Sequence, residues 1–297
     1  MRPRTAASLA IVCSAALAGC RLPGFGPNSR GLAASRQLAE QGAAAMERGQ
    51  WDRAETLLSQ AVRACPDNPD ARRGYAEALW NRGGRQDAIS QLGQALRSHP
   101  EEATLHVRMA QMRLATGSAD AAQESAARAV RLAPKLAEGW AVYGRVMQAR
   151  QRPQEALASY QRALALAPSD RQVPLQIAQL YAELGQPQRA LATLQGLADL
   201  YSPGEEPHQV LYLQGLAYLA LARCEDAVAS LAAASTRPDA GPETLFGLAQ
   251  AELAAGHPAR AAASAREALA LDPKHQPSLE LIERIELARH DLGHTQR

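Results

Sequence analysis

Seven stretches of this chain repeat one pattern of small, large and turn-forming residues at a spacing of about 34. Blocks starting at Ser35, Pro69, Ala103, Ala137 and Arg171 follow one another at 34 residues, and two more start at His208 and Pro242. The clearest copy, 137–170, places Trp140, Tyr143, Gly144, Ala156, Tyr160, Ala163 and Pro168 at offsets 4, 7, 8, 20, 24, 27 and 32. A period of this length means a stack of small units, so the 297 residues need not fold around one or two central cores.

The offsets have a geometric reason. Offset 20 is alanine in every block: Ala54, Ala88, Ala122, Ala156, Ala190, Ala227 and Ala261. Offset 8 is always Gly or Ala, and offset 27 is Ala in every block except the fifth, which has Leu197. Two antiparallel helices approach closely only where facing side chains are small, while larger residues at offsets 4, 7, 11 and 24 fill the space around that contact. Gly49, Gly83, Gly117, Gly185 and Gly256 at offset 15 mark the reversal after a first helix. Pro153, Pro187 and Pro258 at offset 17 suit the opening of a second helix. Aromatics are scarce at 4%, which fits close-packed helices better than a β-sandwich.

This pattern resembles the tetratricopeptide repeat (TPR) family over about Ser35 to His290. The resemblance implies an all-α fold, a right-handed α-solenoid of about seven TPR helix pairs plus a C-terminal capping helix. That cap is predicted over Gln276 to Leu292, with Leu279, Ile282, Ile285 and Leu287 apolar. Between the fifth and sixth blocks the spacing grows to 37, with Ser202 to Pro207 in the joint. The expected division is therefore repeats 1–5 over 35–204, repeats 6–7 with the cap over 205–292, and a tail over 293–297.

The N-terminus reads as a bacterial secretion signal over 1–19: Arg2 and Arg4, then a short apolar run from Ala6 to Ala18. That run is shorter than the about 20 apolar residues a bilayer span needs. Leu17-Ala18-Gly19-Cys20 resembles the lipobox of bacterial lipoproteins, which implies lipidation at Cys20 and anchoring by two or three acyl chains. Arg21 rather than an aspartate follows Cys20, which by the same analogy points to the outer membrane, facing the periplasm. Pro23, Gly24, Gly26, Pro27, Asn28 and Ser29 lead to the expectation of a lipid-anchored flexible tether over 20–34. Cys65 and Cys224 lie five repeats apart and are expected to stay unpaired.

Function classes narrow quickly. With 32 basic against 30 acidic residues and no basic cluster, nucleic acid is not expected as a partner. The sequence has no phosphate-cradling loop, zinc-protease motif or nucleophile elbow, so catalytic residues, metal ligands and cofactors are expected to be none and the chain is not read as an enzyme. The histidines His99, His208, His257 and His275 fall at turns and block boundaries, where solvated side chains are expected.

The resemblance implies that offsets 2, 5, 6, 9, 12 and 13 of each first helix line a concave groove that takes a protein or peptide ligand. Two stretches follow. One is polar: Arg73, Glu77, Trp80, Asn81, Arg108, Gln111, Arg145 and Gln148. The other is apolar: Tyr212, Leu213, Leu216, Leu219, Phe246, Gln250 and Leu253. Arg and Trp are enriched among interface hot spots, and an apolar groove suits an amphipathic helix or extended apolar peptide. The offset-5 and offset-9 residues (Ala39, Arg73, Val107; Ala43, Glu77, Gln111) do not match the Lys and Asn positions by which some relatives clamp a C-terminal carboxylate. The expectation is a membrane-anchored scaffold or adaptor at the cell envelope, an assembly or recruitment factor. The alternative is a self-assembling envelope protein that uses its groove for homo-oligomer contacts.

Overall fold

The computed structural model describes the backbone of residues 27–295 and the side chains of 31–288. Cys20 and the lipobox lie outside the described residues. Within them every regular element is a helix. The chain divides into two compact units, the first ending at Ser98 and the second starting at His99.

The first unit holds two helical pairs, α1 (Pro27–Glu47) with α2 (Trp51–Ala64) and α3 (Pro69–Asn81) with α4 (Arg85–Ser98). Helix α1 begins eight residues before the first block, which corrects the expected tether: 27–34 are helical. Proline is well placed to start a helix, because its missing N–H has no intrahelical partner in the first turn. Gly31 then lets α1 lie against the end of α2, since a Cβ there would sit 2.7 Å from the Ala64 carbonyl oxygen. One turn further on, buried Ser35 accepts a 2.9 Å hydrogen bond from Asn68 Nδ2. The Asn68 side-chain oxygen in turn caps α3, accepting from the amides of Asp70 and Ala71.

The second unit runs through five pairs and a closing helix. Its first helices are α5 (Ala103–Ala115), α7 (Ala137–Ala149), α9 (Gln172–Glu183), α11 (His208–Ala220) and α13 (Pro242–Ala254). Their partners are α6 (Ala119–Leu132), α8 (Pro153–Leu166), α10 (Pro187–Ala198), α12 (Cys224–Ser235) and α14 (Pro258–Leu271), and α15 (Gln276–Thr295) closes the series.

The alanines of offset 20 are buried in every pair. Around them, size is matched in five pairs, while Ala76 with Leu92 and Ala178 with Leu194 combine alanine with leucine. Where offset 8 is glycine, offset 24 is large and fills the gap: an added Cβ would come within 2.5 Å of Leu58 from Gly42, 2.7 Å of the Tyr160 ring from Gly144 and 2.4 Å of Leu231 from Gly215. Where offset 8 is Ala110 or Ala249, offset 24 is Ala126 or Ala265. The reversal at offset 15 is left-handed in all seven pairs, including the two that lack glycine, Gln151 (φ 56°) and Ala222 (φ 54°).

Two further expectations shift. Ser202 to Glu205 of the long joint are exposed, but the helices on either side of it pack together: Leu194 and Leu197 of α10 share a buried cluster with Val210 of α11, and Arg171 lies 4.4 Å over the Tyr201 ring. The boundary between the two compact units falls at Ser98, not at this joint. In α15 the buried stripe is Ser278, Leu281, Ile282 and Ile285, an i, i+3, i+4, i+7 pattern, whereas Leu279 and Leu287 are 43% and 61% exposed. Ile282 and Ile285 therefore pack as expected, while Leu281 takes the place expected of Leu279 and Leu287.

Candidate functional site

In the first unit, the concave positions of α1 and α3 enclose an open cleft of about 450 Å³. Its floor is apolar. Ala39 and Ala43 on α1 and Gly74 on α3 are too small to fill it, which leaves Met46 and Leu58 at the bottom. Gly74 matters most, because a Cβ there would sit 2.8 Å from a Leu58 δ-methyl. The walls carry Arg36 and Glu40 from α1 and Asp70, Arg73 and Glu77 from α3. Arg73 pairs with Asp70 at 3.0 Å. Thus Arg73 and Glu77 of the expected polar stretch do share a cavity, with partners on α1 that the sequence reading did not single out. Trp80 is half-buried, with Arg85 5.7 Å over its ring. Asn81 is exposed and donates to the Glu77 carbonyl at 2.9 Å.

In the second unit the polar groove residues bind one another. Arg108 donates to Gln111 Oε1 at 3.0 Å, and Gln111 Nε2 donates to Glu138 on the next first helix at 2.9 Å. Gln148 Nε2 donates to the Glu183 carboxylate at 2.9 Å, and Gln148 Oε1 accepts from the Tyr160 hydroxyl at 3.0 Å. Burial pushes the Tyr160 hydroxyl well above its ordinary range; the Arg145 charge opposes this and the Glu183 charge adds to it. Arg145 itself is exposed.

The apolar stretch is not an open strip. Tyr212 and Leu219 pack against the buried cluster of Ala227, Leu231 and Leu248, and Phe246 and Leu253 against that of Ala249, Ala261 and Leu281. Gln250 alone of the seven is exposed. Leu213 and Leu216 instead line a small apolar pocket of about 120 Å³ with Ala182, Leu194 and Ala220.

Histidines supply what the sequence reading missed. His275 is buried at 6% exposure, bonded through Nδ1 to Ser278 Oγ (2.8 Å) and through Nε2 to Glu243 (3.0 Å), with its ring against Phe246. His208 bonds Thr244 Oγ1 at 2.7 Å and stacks on Tyr212. Each therefore ties one first helix to the next element, and the block-boundary position that suggested solvent is where neighbouring pairs meet. Glu252 is also buried, held by Ser264 Oγ at 2.7 Å and Arg260 Nε at 3.1 Å. Cys65 and Cys224 carry free thiols. Among the described residues there is no cluster of side chains suited to a metal ion, and no helix is long and apolar enough to cross a membrane.

Two tetratricopeptide repeat family models match the sequence, one over 40–103, 76–137 and 212–275 and the other over 147–211. No curated protein matches it. Among solved structures, a tetratricopeptide repeat protein from Parabacteroides merdae superposes with a TM-score of 0.64 at 17% identity, covering 86% of this chain and 99% of its own. PilW, a type IV pilus biogenesis factor, gives 0.65 at 20% identity over 72% and 98%. YrrB, a TPR protein with an unusual peptide-binding site, gives 0.52 at 16% identity over 64% and 96%.

Proposed function

The chain belongs to the tetratricopeptide repeat family, and on that footing we propose that it is a scaffold or adaptor that binds segments of other proteins at the bacterial cell envelope, held to the membrane by lipid on Cys20. The observation that carries the binding half is the open cleft in the first unit: its floor is built from residues too small to fill it, and its walls are charged. The similar folds of YrrB, a TPR protein with a peptide-binding site, and PilW, a pilus biogenesis factor, support this reading. The anchoring half rests on the lipobox resemblance and its charged, apolar leader. Anchoring would hold a weakly bound partner at high local concentration beside the bilayer.

Crosslinking of the intact protein in its native envelope, followed by identification of its partners, tests the binding. Recovery should fall with Arg73→Ala plus Glu77→Ala, and unchanged recovery with both the cleft and the Leu213–Leu216 pocket blocked would remove the groove from the account. A Cys20→Ala protein that still incorporates labelled fatty acid and fractionates with membranes would remove the anchor. Self-assembly is the second reading, favoured by the exposed Leu279 and Leu287 on the closing helix. Sedimentation of a Pro27–Arg297 fragment, which keeps α1 whole, as a monomer over a wide concentration range would rule against it.

A further inference from the structure

Trp51 stands where the repeat pattern asks for no large residue. It opens α2 at offset 17, a place held in the other blocks by Arg85, Ala119, Pro153, Pro187, Cys224 and Pro258. The indole is half-buried and lines an open depression of about 640 Å³, between the α1–α2 turn and the C-terminal end of α3. That volume is in the range of small-molecule sites. The depression shares no lining residue with the cleft between α1 and α3. Trp80 and Trp140 each carry an arginine 5.7 Å over the ring, Arg85 and Arg162. Among the described residues no cation or ring stacks on Trp51.

The rest of the lining is planar and polar. Gln50, Asp52 and Arg53 come from the entry into α2, and Asn81 and Arg82 from the end of α3. Arg82 is engaged by Asp52 at 2.7 Å and by Glu55. Arg53 reaches Gln50 Oε1 at 3.5 Å. Asn81 donates through Nδ2 to the Glu77 carbonyl, which leaves its Oδ1 to accept from a ligand. A cationic ligand would face the Arg53 and Arg82 guanidiniums. An anionic one would face the exposed Asp52 carboxylate and find Arg82 already held. A wholly apolar one would strip water from five polar side chains and replace none of their hydrogen bonds.

We propose that this depression binds a neutral sugar unit of an oligosaccharide, its C–H face on the Trp51 indole and its hydroxyls on Gln50, Asp52 and Asn81. The face of an indole is negative and attracts weakly positive C–H groups. A hydroxyl both donates and accepts, so a rim of carboxamide, carboxylate and guanidinium groups serves it in either role. Sugar binding at this place is independent of the adaptor function proposed above.

The test titrates the full chain, labelled with 5-fluorotryptophan, with cellobiose, maltose and N,N′-diacetylchitobiose. Trigalacturonate and the glucosamine dimer serve as charged counterparts. The three tryptophans give three fluorine signals, and Trp51→Phe assigns the one at the site. At least one neutral sugar should move the Trp51 signal, leave those of Trp80 and Trp140 in place, and bind about two- to fivefold more tightly than either charged sugar. Gln50→Ala, at an exposed position, should weaken that binding about three- to tenfold, the loss of one hydrogen bond. Trp51→Ala should abolish it and Trp51→Tyr should restore part of it, both read by saturation transfer to the sugar C–H protons. Unmoved Trp80 and Trp140 signals show that these variants are folded. No movement of the Trp51 signal with any neutral sugar up to its solubility limit overturns the proposal. So does tighter binding of a charged sugar, movement of Trp80 or Trp140 alone, or binding that survives Trp51→Ala.

Discussion

The same substitution, glycine to alanine inside a helix, should change stability in opposite directions at two positions of the second unit. Gly196 lies in α10 with nothing within 4 Å of an added Cβ, so Gly196→Ala should gain the helix propensity of alanine, about 1 kcal/mol. Gly144 lies in α7, where an added Cβ would meet two Tyr160 ring carbons at 2.7 Å and the Ala156 carbonyl oxygen at 3.2 Å. The ring cannot step aside freely. It is fully buried, and its hydroxyl is tied to Gln148 and, at 3.4 Å, to Gln176. Overpacking costs about 1–3 kcal/mol and a displaced hydroxyl about 1 kcal/mol more, so after the propensity gain Gly144→Ala should lose about 2 kcal/mol. Repeat arrays need not unfold in one step, so a single melting curve is the wrong assay. Hydrogen exchange followed on α7 and α8 measures the local effect, and about 2 kcal/mol corresponds to about thirtyfold faster exchange. Adding Tyr160→Ala to Gly144→Ala should cost less than the two single changes summed. If Gly144→Ala slows exchange as Gly196→Ala does, the matched pairing of small and large residues is not what holds these helices at their distance.

Three other outcomes follow from the structure. Ala222→Gly and Gln151→Gly should each stabilise by about 0.5–1 kcal/mol in urea titrations, because relief of a left-handed backbone outweighs the added freedom of the unfolded glycine, whereas Ala222→Val should destabilise. Asn68→Ala should cost the first unit about 2–4 kcal/mol by hydrogen exchange, since it removes the α3 cap and leaves buried Ser35 without that donor. Tyr160 is held protonated by burial above its unfolded value of 10, so its contribution is constant below pH 10 and is lost as pH rises beyond it. Tyr160→Phe should flatten the alkaline stability profile by up to about 1.4 kcal/mol per pH unit, and an unchanged slope would mean the phenol is hydrated in the folded chain.

What the sequence showed and what it hid divide along physical lines. Features repeated in every block were readable, because seven copies average out local accident: the alanines of offset 20, the reversals at offset 15 and the prolines opening α8, α10 and α14. At Gln151 and Ala222, which lack the glycine, the left-handed reversal emerged only with the structure. Features occurring once were not readable. Asn68, Glu252 and His275 are polar residues at places where polarity suggests water, and only the neighbouring pair shows that each is enclosed and bonded. Pro27 was read as a breaker and is a starter, since proline's effect depends on which side of it the helix lies. The closing helix has leucines on two faces, so composition could not choose between Leu279 and Leu281; the contact with α14 did. The candidate site was half legible. Arg73 and Glu77 were found by register, but the cleft also needs Arg36, Glu40 and the missing side chain of Gly74, and an empty volume leaves no letter in a sequence.

The large residue at offset 24 has a consequence for how such a chain can be cut and rejoined. Leu58 fits the space left by Gly42 in its own block, but it also presses on Gly74 in the next. Leu231 likewise needs Gly215 behind it and lies 3.4 Å from a Cβ placed at Gly247 ahead. Tyr160 reaches forward too, to the amide of Gln176. Blocks 1, 4 and 6 are therefore not free-standing modules, because each carries a protrusion whose socket is completed by its successor. Recombination that transplants blocks 1 with 2, 4 with 5, or 6 with 7 keeps protrusion and socket together. A seam placed inside any of those couples would bring a foreign side chain onto Leu58, Tyr160 or Leu231.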